Sequence, residues 1–273
     1  MIQLGHSHIS CFVFDLDGTV YCEDMLIGNV NHVFLFLKSQ NIPFYFFTNN
    51  SSHSKDFYIK KLHRLGLNYI KKNQIISSTD VLISYLNSHK ITHISCIGTD
   101  EMLQELNKAG ISIISQKNKL VEAVVIGFDT SLHYHKLEIA NHYARKNIPV
   151  LATNEDILCP VSNNEFIPDC GAITALIEKS SGKNARFFGK PQKTAAKYMC
   201  EYTHTKPEHI CMVGDRLYTD MKMAEHNFKT ILVLSGETTQ NMIHPDTQHI
   251  DYIIENITEI PHYIISHKSN NIK

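Results

Sequence analysis

Residues 12–21 read "FVFDLDGTVY": an apolar run meets two carboxylates one residue apart and then a glycine. Cys11 to Phe14 do not alternate polar with apolar, so they suit a central strand covered on both faces, as in a parallel sheet. The carboxyl edge of a doubly wound sheet is where ligands bind, which sets Asp15 at the edge of a site. Asp and Gly are also common turn residues, so "DLDG" alone reads as a turn just as well. An EF-hand calcium loop does not fit. It requires Gly at its sixth position and Glu at its twelfth, whereas counting from Asp15 finds Gly18 fourth and Glu23 ninth.

The same rhythm runs outward from this strand. Short apolar runs rich in β-branched and aromatic residues alternate with helical periodicity, the signature of β-α units on a parallel sheet. Strands are expected at 10–14, 43–48, 94–98, 111–114, 123–128, 149–153, 210–213 and 230–234. Helices are expected at 31–38, 54–65, 80–88, 100–109, 132–145, 172–180, 192–202 and 219–227. The polar end "HKSNNIK" is expected to fray.

Two compact units fit 273 residues, and 43% hydrophobic with 19% charged residues is the balance of a folding chain rather than a disordered one. Lys and Arg number 26 against 27 Asp and Glu, a net charge of −1. No global field therefore draws nucleic acid or an anionic membrane, and any phosphate preference has to be local. No run approaches the roughly 18 apolar residues of a membrane span, and the first residues lack the basic and apolar regions of a secretory signal. Seven cysteines, odd in number and nowhere spaced C-x-x-C, speak against a disulfide framework or a zinc ribbon and for a reducing cytoplasm. His6 and His8 have no acidic or cysteine partner at ligand spacing and read as polar surface.

Two further strands end as the first one does. "PFYFFTNNSSHS" runs from apolar residues into Thr48, Asn49 and Asn50 and enters a helix through serines. A hydroxyl and backbone N–H groups at a helix N-terminus make an anion cradle, or an ordinary N-cap cluster. "HICMVGDRLYTDMKMAEH" carries Asp215 at its strand end and Asp220 five residues on. Gathering Asp15, Asp17, Asp215 and Asp220 at one edge costs roughly 4 kcal/mol for each like-charge pair near ~4 Å at an effective dielectric of about 20, so the cluster requires cations. Hard carboxylate oxygens suit Mg2+, shared with water and substrate phosphate. "FFGKPQKT" adds Lys190, directly before Pro191 at an expected helix N1 position. It is not a P-loop lysine, because Asn184 stands where that motif needs glycine, and "GKP" alone reads as a surface turn.

The ordered set "DLDGT", "TNN", "GKP" and "GDRLYTD" resembles the haloacid dehalogenase superfamily of phosphohydrolases, and within it the NagD-like branch, over nearly the whole chain. The resemblance implies a Rossmann-like α/β core in which Asp15 is the nucleophile that forms an aspartyl-phosphate. Asp17 is then the acid that protonates the leaving alcohol and afterwards activates water. The resemblance also implies that Thr48 and the backbone around it hold the phosphoryl group, and that Lys190 neutralises it and keeps Asp15 ionised. Asp15, Asp215 and the Asp17 carbonyl would bind Mg2+, with Asp220 supporting them from behind. Gly18, whose turn lets Asp17 reach the leaving-group side, and Asn49 join the substrate-binding residues.

Asp15 to Thr48 spans 33 residues, one β-α-β step, but Thr48 to Lys190 spans 142, which leaves roughly 100 for an insertion. The catalytic core is therefore expected at 1–78 and 184–273, and an inserted α/β cap at 79–183; relatives carry a similar cap at this point. Within it, "ATNEDILCPVSNNEFIPDCGA" reads as a strand end followed by a long polar loop, functional or merely connecting. The resemblance implies that this segment selects the leaving group, through Asn154, Asp156 and Asp169. Many relatives have Gly where Asp169 follows Pro168, so no relative's substrate is carried over. Arg216 and Tyr218 read as shaping the metal loop. The expected activity is Mg2+-dependent hydrolysis of a small phosphorylated metabolite. A phosphomutase and a phospho-Asp receiver are the alternatives, although a receiver needs neither an acid at position 17 nor a cap. A homo-oligomer is left open.

Overall fold

The structure, a computed structural model, describes residues 2–4, 7–161, 165–244 and 249–269. The chain forms two compact units, one made of Met1–Thr48, Ile59–Ile76 and Lys190–Lys273, the other of Asn49–Tyr58 and Ser77–Gly189.

Cys11–Phe14, buried at every position, takes the centre of a six-stranded sheet in the first unit. Phe44–Thr48 lies on one side of it, and Ile210–Gly214, Lys229–Val233 and Tyr252–Ile254 follow in succession on the other, all parallel. Ile75–Ser77 extends the sheet beyond Phe44–Thr48. Counted along the chain, the spatial order is 6-5-4-1-2-3, a doubly wound sheet whose winding reverses between its first and fourth strands. Asp15 and Asp215 follow those two strands. The helix Val30–Ser39 buries Val33, Phe34 and Leu37. Phe34 meets Phe14 and Phe46 edge-on, with centroids 5.3 and 5.2 Å away, which seats the helix on the sheet.

The second unit has its own parallel sheet, in the spatial order Ala185–Phe187, Val150–Ala152, Ala123–Ile126, His93–Ile97, Ser112–Ile113. Along the chain this is 5-4-3-1-2, again doubly wound. Its switch point is filled by its own chain. Met102 packs closely on Gly98 and Gly127, so that a side chain at either position would displace the end of the methionine. The Ser51 hydroxyl accepts from the Phe128 N–H at 2.9 Å and pairs with the Thr153 hydroxyl at 2.9 Å, while the Thr99 hydroxyl donates to the Ser52 carbonyl at 2.8 Å. These bonds draw Asn49–Tyr58 into the second unit, whereas the expected boundary at 79 had left that segment with the core.

Four other local expectations are corrected. The stretch expected as a polar loop contains an antiparallel hairpin, Leu158–Val161 with Glu165–Pro168; residues 162–164 lie outside the described residues. Its period-two pattern is masked by prolines, yet Cys159 and Ile167, opposite each other, pack on the core while Leu158 and Phe166 are exposed. The expected helix 219–227 is a 3-10 segment, Met221–His226, closed by bonds such as Met223 N–H to Asp220 O. Pro191 is not at a helix N1 position, because Gln192 is still extended and the helix begins at Lys193. A helix Ile260–Ser269 takes up part of the end expected to fray; residues 270–273, like His6, lie outside the described residues. No described helix is long and apolar enough to cross a membrane.

Candidate active site

The Asp15 N–H continues the parallel ladder to the Val213 carbonyl at 2.8 Å, so the backbone that carries its side chain is held at the sheet edge beside the fourth strand. Lys190 Nζ lies 2.6 Å from Asp15 Oδ1 and 2.7 Å from Asp220 Oδ1, and donates to the Phe47 carbonyl at 2.9 Å. With 2% of its side chain exposed, the ammonium directs its three protons to three protein acceptors. One oxygen each of Asp15, Asp215 and Asp220 lie within 4.8 Å of one another. Asp215 Oδ2 accepts the Glu237 N–H at 2.6 Å, and Asp220 Oδ2 accepts the Arg216 N–H at 3.2 Å. Side chains at Gly18 or Gly236 would overlap the Asp215 carboxylate, and one at Gly214 would overlap Asp220. Gly18, at φ +79, also supplies the left-handed turn after Asp17.

Burial pushes the Asp215 carboxyl up to about 7, and Asp220 adds to the rise. Burial also raises Asp15 well above the carboxylate range; Lys190 opposes this, while Asp220 and Asp215 add to it. For Lys190 burial acts downward, yet Asp15 and Asp220 outweigh it and hold the ammonium above its ordinary value. The 2.6 Å contact is that of an ammonium with a carboxylate, and the ion pair is the form the geometry supports.

Three buried carboxylates thus face one ammonium, and Asp215 Oδ1 is buried without a hydrogen-bond partner. An orphaned hard oxygen amid excess negative charge fits a divalent cation.

Asp17 sits in different surroundings. Its side chain is 47% exposed against 14% for Asp15. The Tyr21 hydroxyl donates to Asp17 Oδ2 at 3.4 Å, and Lys61 Nζ stands 3.9 Å from Asp17 Oδ1. Thr48 is buried at the end of its strand. Sequence reasoning missed Tyr21, Lys61 and the loop Ser235–Glu237. The loop had a usable signal, because "ILVLSGET" is another apolar strand running into a polar turn. Arg216 Nε and the Tyr218 hydroxyl each reach Glu237 Oε2 at 3.0 Å, which fits the shaping role expected of them.

In the second unit, Asn49 Nδ2 donates to Asp156 Oδ2 at 3.1 Å, and Asn154 Nδ2 donates to the Asn49 carbonyl at 2.7 Å. All three residues are buried. A side chain at Gly189 would strike Asn49 and the Thr153 carbonyl, which accounts for the glycine before Lys190. Asp169, expected to face the leaving group, is the N-cap of the helix Cys170–Ser181, its carboxylate accepting the Cys170 N–H.

A family model described as haloacid dehalogenase-like hydrolase matches residues 12–112, and one of HAD-hydrolase-like proteins matches 187–260. Phosphoglycolate phosphatase 2 of Arabidopsis thaliana is 30% identical, over 87% of this chain and 89% of its own. The fold matches a 4-nitrophenylphosphatase from Thermotoga maritima with a TM-score of 0.88 and 32% identity, covering 93% of this chain and 97% of that one. It matches a putative NagD protein with a TM-score of 0.83 and 32% identity, covering 92% and 96%. The chain belongs to the haloacid dehalogenase-like hydrolases and, within them, to the NagD-like phosphatases. Phosphatases of this family generally use a divalent metal.

Proposed function

We propose that the protein is a Mg2+-dependent phosphatase that hydrolyses a small phosphate monoester through an aspartyl-phosphate on Asp15. The observation that carries this reading is the gathering of Asp15, Lys190, Asp215 and Asp220 where the first sheet reverses its winding. An Asp15 oxygen attacks phosphorus as the bond to the ester oxygen breaks, and Asp17 gives its proton to that oxygen, so the alcohol leaves neutral. Asp17, now a carboxylate, takes a proton from water whose oxygen attacks phosphorus. Inorganic phosphate departs, and the electrons of the broken bond return to Asp15. Thr48 and the backbone around it hold phosphoryl oxygens, while Lys190 neutralises their charge and keeps its neighbour ionised. When bound, Mg2+ would supply positive charge at the nucleophile and the phosphoryl oxygens, held by Asp15, Asp215 and the Asp17 carbonyl, while Asp220 orients Lys190.

The differing exposure of the two acids supports the division of labour: Asp17 must trade protons with water, Asp15 only attacks. The second unit acts as the specificity cap, with Asn49, Asn154 and Asp156 as its candidate selectors and Gly18 as the turn on the core side. That one relative is a phosphoglycolate phosphatase and another a 4-nitrophenylphosphatase supports a small monoester as substrate. Seven cysteines, odd in number and nowhere spaced C-x-x-C, support a reducing cytoplasm as its compartment. Purified protein should release 4-nitrophenolate from its phosphate ester with Mg2+ present and stop on chelation. Asp15→Asn should lower turnover at least about a thousandfold with unfolding unchanged. Most activity surviving in that variant overturns the nucleophile assignment.

A further inference from the structure

Lys61 is a residue that the four motifs do not include. It lies in the helix Lys55–Arg64, next to the buried Leu62, and its side chain is 13% exposed. Its Nζ stands 3.9 Å from Asp17 Oδ1 and 3.9 Å from the centroid of the Tyr21 ring. Tyr21 is itself fully buried and donates its hydroxyl to the other Asp17 oxygen at 3.4 Å. Among the described residues, Asp17 is the only anion Lys61 pairs with. One turn further along the helix, Arg64 meets Asp24 at 2.6 Å, so the helix is tied a second time to the chain just beyond the acid.

We propose that Lys61 is a positioning residue for the proton-transfer step: seated over the Tyr21 ring, its ammonium holds the Asp17 carboxylate toward the ester oxygen. The geometry suits that task better than a mere surface pair. A half-exposed carboxylate has several rotamers within reach, and two partners, one on each oxygen, select among them. The aromatic face fixes the ammonium, because a cation within about 6 Å of a ring centroid is held by the ring's quadrupole. A proton transfer that must occur at one oxygen of the substrate is sensitive to such orientation.

This inference rests on the reading of Asp17 as acid and base, and the test separates the two. First-turnover release of the leaving group is followed with Mg2+ for 4-nitrophenyl phosphate, whose leaving group departs as an anion unaided, and for phenyl phosphate, whose leaving group needs a proton. Lys61→Met should slow phenol release about tenfold or more while changing nitrophenolate release less than about twofold, and should slow the later, water-dependent phase for both esters. Lys61→Arg should restore both phases, and KM should stay near that of the unaltered enzyme. An equal fall for both esters, or no fall for either, overturns the proposal. Asp17→Asn run alongside should show the same selectivity more strongly. If it does and Lys61→Met does not, the positioning role alone is lost. If Asp17→Asn shows no selectivity, the reading of Asp17 falls and the inference with it.

Discussion

Asp215 ends a fully apolar strand with one oxygen bonded to the Glu237 N–H and the other, buried, without a partner. Because burial and Asp220 raise its carboxyl to about 7, the folded chain without metal keeps a proton that the unfolded chain loses near pH ~4. Between those values the native state binds more protons, so this group's contribution makes stability fall as pH rises, by up to about 1.4 kcal/mol per unit, and levels off above pH ~7. Thermal unfolding with a chelator should therefore show wild type losing stability from pH 5 to 7.5 relative to Asp215→Asn. Mg2+ should raise the midpoint of wild type at pH 7.5 more than at pH 5, and that of the variant far less. Parallel pH curves for the two proteins would contradict it. Asp15 and Asp215 were legible as site residues because each terminates an unbroken apolar run. Tyr21 and Lys61 were not, because a cation over a ring leaves no trace in local spacing: the two are 40 residues apart and meet only when the helix packs.

Elements whose periodicity was unbroken were legible to within a residue or two, as with the helix expected at 100–109 and found at Asp100–Lys108 under its Thr99 cap. Where local chemistry competes with the pattern, reading failed. Asp220 turns inward to Lys190 and the Arg216 N–H, and the segment after it winds as 3-10 instead of α. Asp169, expected to select the leaving group, has a structural task that its place before Cys170 explains, that of an N-cap. Asp169→Ala should cost about 1 kcal/mol in chemical denaturation and Asp169→Asn much less, as expected for a cap. A screen of phosphorylated metabolites should return the same order of substrates for wild type and Asp169→Gly. A reordered profile would restore the carboxylate to the role of selector.

For the molecule as a whole, alternating strands and helices made the α/β class legible, and the long interval before Lys190 made the insertion legible. Spatial strand order was beyond reach, since 6-5-4-1-2-3 and 5-4-3-1-2 arise from the same alternation along the chain. That order matters chemically. In the first sheet the reversal sets Asp15 beside Asp215, whereas in the second the chain's own Met102 and Ser51 fill the corresponding place. One phosphoryl site at the first reversal, working through a covalent aspartate, is the central claim. The stereochemical course at phosphorus tests it most directly, using a thiophosphate ester made chiral with two oxygen isotopes and hydrolysed in water carrying the third, or a phosphate ester made chiral with three oxygen isotopes and transferred to an acceptor alcohol. Two successive in-line displacements predict retention of configuration; inversion would mean that water attacks the substrate directly and that Asp15 never carries the phosphoryl group.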